Sequence, residues 1–128
     1  MASTYSGIGD VYEKQGKFTE ALAMHEKCLA IEIKHHGLEH LEVADTYFDI
    51  GNIYQKQGKF AEALDMQEKC LAIEIKHYGL EHLDVASTMY DIGDLYTEQG
   101  KYAEALACLL YTSPSPRDLS TSRMPSSA

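Results

Sequence analysis

The sequence predicts an all-α fold, a solenoid built from αα-hairpin repeats, and three observations support this prediction. First, the 42 residues from Thr4 to Asp45 return from Thr46 to Ser87 with 31 identical positions. Second, apolar and small residues recur at helical spacing within each copy. Third, glycines stand at equivalent places where helices are expected to end. Repeats of this length are typical of solenoids, in which each unit buries its apolar face against its neighbours.

The first half of each copy predicts an amphipathic helix. In the first copy Tyr5, Ile8, Gly9 and Tyr12 fall on one helix face, which we expect to be the core face. A glycine inside a helix costs about 1 kcal/mol relative to alanine, so the return of Gly9 in every copy predicts close helix packing. The helix is expected to end at a Gln-Gly-Lys turn. The turn glycines are Gly16, Gly58 and Gly100.

The second half of each copy predicts a second helix, which completes the hairpin. It is expected to begin at an aromatic residue (Phe18, Phe60 or Tyr102) and to end at Gly37 or Gly79. Its predicted core face in the first copy consists of small and apolar residues: Ala21, Leu22, Cys28, Leu29 and Ile31.

The repeats are predicted to occupy residues 1–107. The units are 3–45, 46–87 and a truncated 88–107. The third copy follows the pattern only as far as Leu106, so we expect the helix face of Ile92 and Tyr96 to be partly uncovered.

Residues 108–128 differ in composition from the repeats. All three prolines follow Thr112, and all nine glycines precede Cys108. One codon choice for residues 108–118 spells the end of a transposon-based sequencing adaptor, and residues 122–128 resemble a flow-cell primer. We therefore predict that 108–128 is a non-native tail. The alternative is a native, disordered tail rich in serine and proline.

The strong negative charge of the repeats bounds the possible partners. The chain has a formal charge of −9, and Arg117 and Arg123 against Asp118 give the tail +1, so the repeats are near −10. An acidic surface repels nucleic acid and anionic lipid and favours basic partners. We therefore expect a protein or peptide partner with basic and apolar residues, and neither nucleic acid nor a membrane.

The sequence predicts a cytoplasmic protein. It has no signal peptide and no apolar run near the ~18 residues that a membrane span needs. Cys28 and Cys70 occupy one repeat position, which is typical of small core residues and not of a disulfide framework. Such cysteines suit a reducing compartment.

The repeats resemble the tetratricopeptide repeat. The pattern aromatic-x-x-Ile-Gly-x-x-Tyr, followed by alanine, is typical of that family. The copies carry it as Tyr5, Ile8, Gly9, Tyr12 and Ala21, as Tyr47, Ile50, Gly51, Tyr54 and Ala63, and, with Met89 at the aromatic position, as Ile92, Gly93, Tyr96 and Ala105. The usual unit has about 34 residues, and this longer unit resembles the kinesin light chain type. The resemblance implies a right-handed superhelix of about two and a half repeats. His25 and Gln67 depart from it, since the common repeat has Phe or Tyr there.

Catalytic and metal-binding functions are not predicted. His35, His36 and His40 cluster, but Gly37 interrupts helical pairing and Tyr78 replaces His36 in the second copy. Zinc favours four nitrogen or sulfur ligands in fixed geometry, so we interpret these histidines as helix caps or turn residues. The copies do not repeat a set of nucleophile, general base and orienting residue, so no catalytic site is predicted. No cofactor is predicted either.

Two functions are open at this point. The first is a protein–protein interaction module that binds a peptide or helical segment of a partner. The second is a structural or oligomerisation arm of a larger multidomain regulator, with self-association through the truncated ends.

The predicted binding surface is a strip along the first helix of each unit. If Tyr5, Ile8, Gly9 and Tyr12 face the core, helical geometry turns other residues to another side. These are Ser6, Asp10 and Glu13, then Phe48, Asn52 and Gln55, then Tyr90, Asp94 and Thr97, flanked by Asp49 and Asp91. The resemblance implies that this strip lines a concave groove and contacts the ligand. The alternative is a solvated acidic face with two aromatic residues packed between repeats.

Overall fold

The computed structural model describes residues 2–112, and these form six α-helices joined by short turns. The helices are α1 (Ala2–Lys14), α2 (Phe18–His36), α3 (Leu41–Lys56), α4 (Phe60–Tyr78), α5 (Leu83–Glu98) and α6 (Tyr102–Thr112). The all-α prediction is confirmed, and the second helix of each unit begins at the aromatic residue that the sequence indicates. No helix in the described range is long and apolar enough to cross a membrane.

The Gln-Gly-Lys turns end the first helix of each unit by backbone geometry. Gly16 has a φ of 79°, a conformation that residues with a side chain rarely adopt. Its amide donates to the Glu13 carbonyl at 2.9 Å, and the Lys17 amide donates to the Tyr12 carbonyl at 2.8 Å. This is a Schellman motif, which satisfies carbonyls at the helix end. The same turn recurs at Gly58 and Gly100.

Each helix packs mainly against the helix before it and the helix after it. A core cluster is formed by Val43 and Ala44 of α3 with Cys70 and Ile73 of α4, and Leu29 and Ile33 of α2 pack against it. Within the first unit, Ala21 of α2 is fully buried and Gly9 of α1 is buried against the ring of His25. The small residues thus stand where the helices approach closely, as predicted.

Gly51 lies against α4 more closely than a side chain would allow without adjustment. A Cβ atom there would be 3.3 Å from the Ala63 carbonyl oxygen and 3.3 Å from the Met66 Cβ atom. This contact explains why a helix-interior glycine, which is unfavourable by itself, returns in each copy.

Two core predictions are wrong, and both errors concern neighbouring helices. Ile8 is 39% exposed, whereas its equivalent Ile50 is 2% exposed, because no described helix precedes α1. Ile92, which is predicted to be partly uncovered, is 4% exposed, because α4 and α6 both pack against α5; Tyr96 of the same face is half-buried. Helix α6 continues to Thr112, beyond the predicted repeat boundary. Residues 113–128 lie outside the described part, and the non-native origin of 108–128 stays a prediction.

Candidate partner-binding site

An open cavity of about 790 Å³ lies between α1, α2 and α3. The α2 residues that line it include the buried Cys28 and Glu32, so α2 forms its floor. Ser6, Asp10 and Asp49 of the predicted strip line its walls on α1 and α3. The structure therefore brings three of the predicted site residues together.

The cavity is open because α1 carries small residues. Ser6 and Gly7 line it, and they stand where the next unit has Phe48 and Asp49. A Cβ atom on Gly7 would meet nothing within 4 Å. In contrast, Phe48 is half-buried against the core cluster of α3 and α4. One predicted aromatic anchor is thus part of the helix packing.

The cavity is also where the first two units differ most. Of the 11 positions that differ between the two copies, six line it in the first unit, compared with four of the 31 identical positions. The six are Ser6, Gly7, Asp10, His36, Glu42 and Asp45. Most residues outside the cavity are therefore identical in the two units, whereas most of those that line it in the first unit differ.

Carboxylates dominate the electrostatics of the cavity. Burial, together with the nearby carboxylates of Asp10 and Asp45, raises the pKa of Asp49 to about 6. Burial and the charge of Glu32 also raise the pKa of Asp45. No lysine or arginine is among the described residues that line the cavity. The uncompensated negative potential is suited to a basic side chain from a partner.

A buried hydrogen bond connects the cavity floor to the next unit. The Thr46 hydroxyl donates to Glu32 Oε1 at 2.5 Å, and Cys28 Sγ lies 3.9 Å from the same hydroxyl oxygen. Burial raises the pKa of the Cys28 thiol to about 11. The thiol therefore stays protonated at neutral pH, which argues against a nucleophilic role.

The same connection recurs one repeat later. The Thr88 hydroxyl donates to Glu74 Oε1 at 2.6 Å, and burial raises the pKa of Glu74. At equivalent positions in both junctions, a buried carboxyl group therefore accepts a hydrogen bond from the next unit.

Asp10 and His25 face each other between α1 and α2. His25 Nε2 lies 3.5 Å from Asp10 Oδ1, and the His25 side chain is fully buried. The second unit has Asn52 and Gln67 at these positions, and the Gln67 amide donates to Asn52 Oδ1 at 3.5 Å. Both residues of the pair change together between the units.

Two other predicted residues are paired across the repeat junctions. Lys56 Nζ lies 2.5 Å from Glu13 Oε2, and Gln55 Nε2 donates to Glu98 Oε1 at 3.1 Å. Gln55 is equivalent to Glu13, and Glu98 is equivalent to Lys56. These side chains connect neighbouring first helices, so their polar groups are already engaged within the array.

The predicted residues of α5 lie outside the cavity. Tyr90 is 54% exposed. The Thr97 hydroxyl donates to the Gly93 carbonyl of its own helix at 2.9 Å. The pKa of Asp91 is raised by burial and by the nearby charge of Asp94. The acidic character of the strip therefore extends to the third unit.

The junction histidines cap the first helices, as the sequence indicates. Nδ1 of His40 and of His82 accepts the amide hydrogen two residues later, at 3.1 Å and 3.0 Å. Each ring stacks on a ring four residues earlier, with centroid distances of 4.2 Å to His36 and 4.0 Å to Tyr78. Tyr78 thus replaces His36 as a stacking partner.

Comparison with known proteins fixes the family. A sequence profile described as tetratricopeptide repeat matches residues 1–76 and 52–110. The chain belongs to the tetratricopeptide repeat family. Repeats of this family generally mediate protein–protein interactions, and their proteins are generally scaffolds and not enzymes. No curated protein matches the chain.

Solved structures agree on the fold. BtubC (BKLC) from P. vanneervenii is 24% identical with a TM-score of 0.80, over 87% of this chain and 44% of that chain. A kinesin light chain candidate of Podosopora anserina with nearly identical tetratricopeptide-like repeats is 23% identical with a TM-score of 0.75, over 97% of this chain and 59% of that one. The N-terminal domain of stress-induced protein-1 from C. elegans is 19% identical with a TM-score of 0.70, over 87% and 80%.

The resemblance to a tetratricopeptide repeat array is therefore confirmed, and the chain shares its fold with the kinesin light chain candidate. The chain spans about half the length of the first two of these structures.

Sequence reasoning missed several residues of the cavity. They are Glu32, His35, His36, Glu42 and Asp45. Differences between the tetratricopeptide units point to His36, Glu42 and Asp45. Glu32 and His35 are identical in both units and lie on the second helix, so no comparison of the copies distinguishes them.

Proposed function

We propose that this tetratricopeptide array is a protein–protein interaction module that binds a segment of a partner in the cavity between α1 and α3. The observation that carries the proposal is the concentration of unit-to-unit differences at the cavity wall. Residues that only pack one repeat against the next can be identical in each unit. Residues that contact a ligand need the chemistry of that ligand.

The chemistry of the cavity favours a basic residue with an apolar neighbour. Asp10, Asp45 and Asp49 offer carboxylates to a Lys or Arg head group, and Ile31 offers apolar contact below them. The raised pKa of Asp49 supports this preference, since a cation would relieve the repulsion among the carboxylates. We propose the cytoplasm as the location of this interaction.

Peptide binding to charge-neutral variants tests the proposal. We expect Asp45→Asn/Asp49→Asn to bind basic peptides of an array about tenfold more weakly, equivalent to about 1.4 kcal/mol. Binding to the native protein should weaken as salt rises, because exposed charges are screened.

A matched variant separates the cavity from the overall charge. Glu20→Gln/Asp65→Asn removes two negative charges from exposed positions on α2 and α4, neither of which lines the cavity. This variant should bind as the native protein does. Equal weakening in both variants would mean that net charge, and not the cavity, drives binding.

A second function, association of copies through the end faces, is favoured by exposed apolar residues. Val11 is 56% exposed, whereas its equivalents Ile53 and Leu95 are 0% and 1% exposed. At the other end, Leu106 and Leu110 are 58% and 63% exposed. Sedimentation of the native protein and of Val11→Ser over a concentration range tests this function. If both proteins are monomers at every concentration, association through the end faces is ruled out.

A further inference from the structure

His25 is a buried side chain whose polar atoms are not satisfied. The residue is 0% exposed, and neither ring nitrogen has a hydrogen-bond partner among the described residues. A buried polar group without a partner costs about 1–3 kcal/mol. The edge of the ring lies against Gly9, where a Cβ atom would be 2.7 Å from Nε2. The glycine thus leaves room for the imidazole beside α1.

Two carboxylates of α1 surround the outer edge of this ring. Asp10 and Glu13 are three residues apart and therefore share a helix face. One oxygen of each lies within 4.8 Å of a His25 ring nitrogen and of the other oxygen. The separation of 3.5 Å between His25 Nε2 and Asp10 Oδ1 is close to the edge of a zinc tetrahedron, about 3.3 Å for bonds of about 2.0–2.1 Å.

From this geometry we propose that Asp10, Glu13 and His25 bind a divalent transition-metal ion, with Zn²⁺ as the ion of best fit. An imidazole nitrogen with two carboxylate oxygens suits zinc better than calcium or magnesium, which prefer oxygen ligands. Three protein ligands leave one position for water. The metal gives the buried Nε2 the partner that it lacks among the described residues.

Two features set the expected affinity below that of structural zinc sites. Lys56 Nζ lies 2.5 Å from Glu13 Oε2, so its positive charge opposes the metal at one ligand. Within the described part of the chain, Nδ1 of His25 lacks the hydrogen bond that usually orients a metal-bound imidazole.

The site belongs to the first unit alone among the described units. The second unit has Asn52, Gln55 and Gln67 at the three ligand positions, and the third unit has Leu109 at the histidine position. The carboxylates and the imidazole are thus present together once. The residues of the second unit therefore provide matched control substitutions for a test.

Zinc titration of the tag-free chain tests the site without any peptide, so its outcome is independent of the proposed partner binding. We expect one equivalent of Zn²⁺ by competition with a chelating dye. The Asp10→Asn/His25→Gln variant carries the residues of the second unit, so we expect it to fold and to lose this equivalent. Glu13→Gln should weaken binding, and Lys56→Met should strengthen it.

Two further variants test whether the metal binds at the three proposed ligands or at other histidines. His35→Gln/His36→Gln removes the exposed histidines near the cavity and should keep the equivalent. Asn52→Asp/Gln55→Glu/Gln67→His transfers the ligands to the second unit and should bind a second equivalent. The proposal is overturned if the native chain binds no zinc, or if the equivalent survives Asp10→Asn/His25→Gln and is lost with His35→Gln/His36→Gln.

Discussion

At the scale of single residues, two glycines of α1 carry opposite roles only two positions apart. Gly7 lines the cavity with nothing within 4 Å of a Cβ atom, whereas Gly9 lies against the His25 ring. Sequence propensity treats both as equally unfavourable in a helix. Only the position of α2 distinguishes the glycine that keeps the cavity open from the glycine that the packing requires.

Alanine at these two positions should therefore change stability in opposite directions. Gly7→Ala should raise the free energy of unfolding by about 0.5–1 kcal/mol, the usual gain in a helix. Gly9→Ala should lower it by about 1–3 kcal/mol, because the new methyl group would overlap the buried imidazole. Urea denaturation of both variants measures the difference. A gain in both would contradict the close approach of α1 and α2.

The buried threonines make a second residue-scale prediction. Thr88→Val keeps the shape but removes the donor to Glu74, so it should lower the free energy of unfolding by about 1–3 kcal/mol. Thr4 occupies the equivalent position on α1 and is exposed. Thr4→Val is therefore the control, and equal effects at Thr4 and Thr88 would show that the hydrogen bond contributes nothing.

At the scale of helices, the boundaries could be predicted from the sequence because they depend on local signals. Gly16 and its equivalents adopt positive φ angles, and His40 and His82 cap the helices that follow. The environment of Ile8 and Ile92 could not be predicted, because it depends on which helices lie beside α1 and α5.

The candidate site was predictable only in part for the same reason. Ser6 and Asp10 follow from the periodicity of α1, and Asp49 flanks the equivalent strip of α3. Their meeting with Glu32 requires the relative placement of three helices. Sequence periodicity places residues on a face but does not say which faces meet.

The helix caps supply a prediction at this scale. His82→Ala should lower the free energy of unfolding by about 0.5–2 kcal/mol, since the Asp84 amide loses its acceptor. His82→Asn should recover most of the loss, because asparagine is a favoured N-cap. His35→Ala, at an exposed position of α2, serves as the control in thermal denaturation. A loss of equal size in His82→Asn would mean that ring stacking on Tyr78 matters more than the cap.

At the scale of the whole molecule, acidic repulsion makes stability depend on pH. The folded state raises the pKa of Asp45, Asp49, Glu74 and Asp91, chiefly through burial. A raised pKa means that the folded state binds more protons than the unfolded state between the two values. For Asp49 this contribution is full below its unfolded pKa of 3.8 and is lost as pH rises through about 6.

Stability should therefore increase when the pH falls from 7 to 5. The urea midpoint of the native protein should be higher at pH 5, and Asp49→Asn should reduce this difference by removing the carboxyl group whose pKa is raised to about 6. Asp65→Asn changes an exposed carboxylate outside the cavity and should leave the difference unchanged. A midpoint that falls on acidification would contradict the acidic cluster.

The central claim, that the cavity between α1 and α3 recognises a basic segment of a partner, is tested most directly by exchanging the charges. Asp10→Lys/Asp45→Lys reverses the charge at two exposed positions of the cavity wall. A lysine-containing peptide that binds the native protein should lose affinity for this variant. The same peptide with glutamate in place of lysine should bind the variant and not the native protein. If both peptides bind both proteins with equal affinity, recognition does not occur in this cavity.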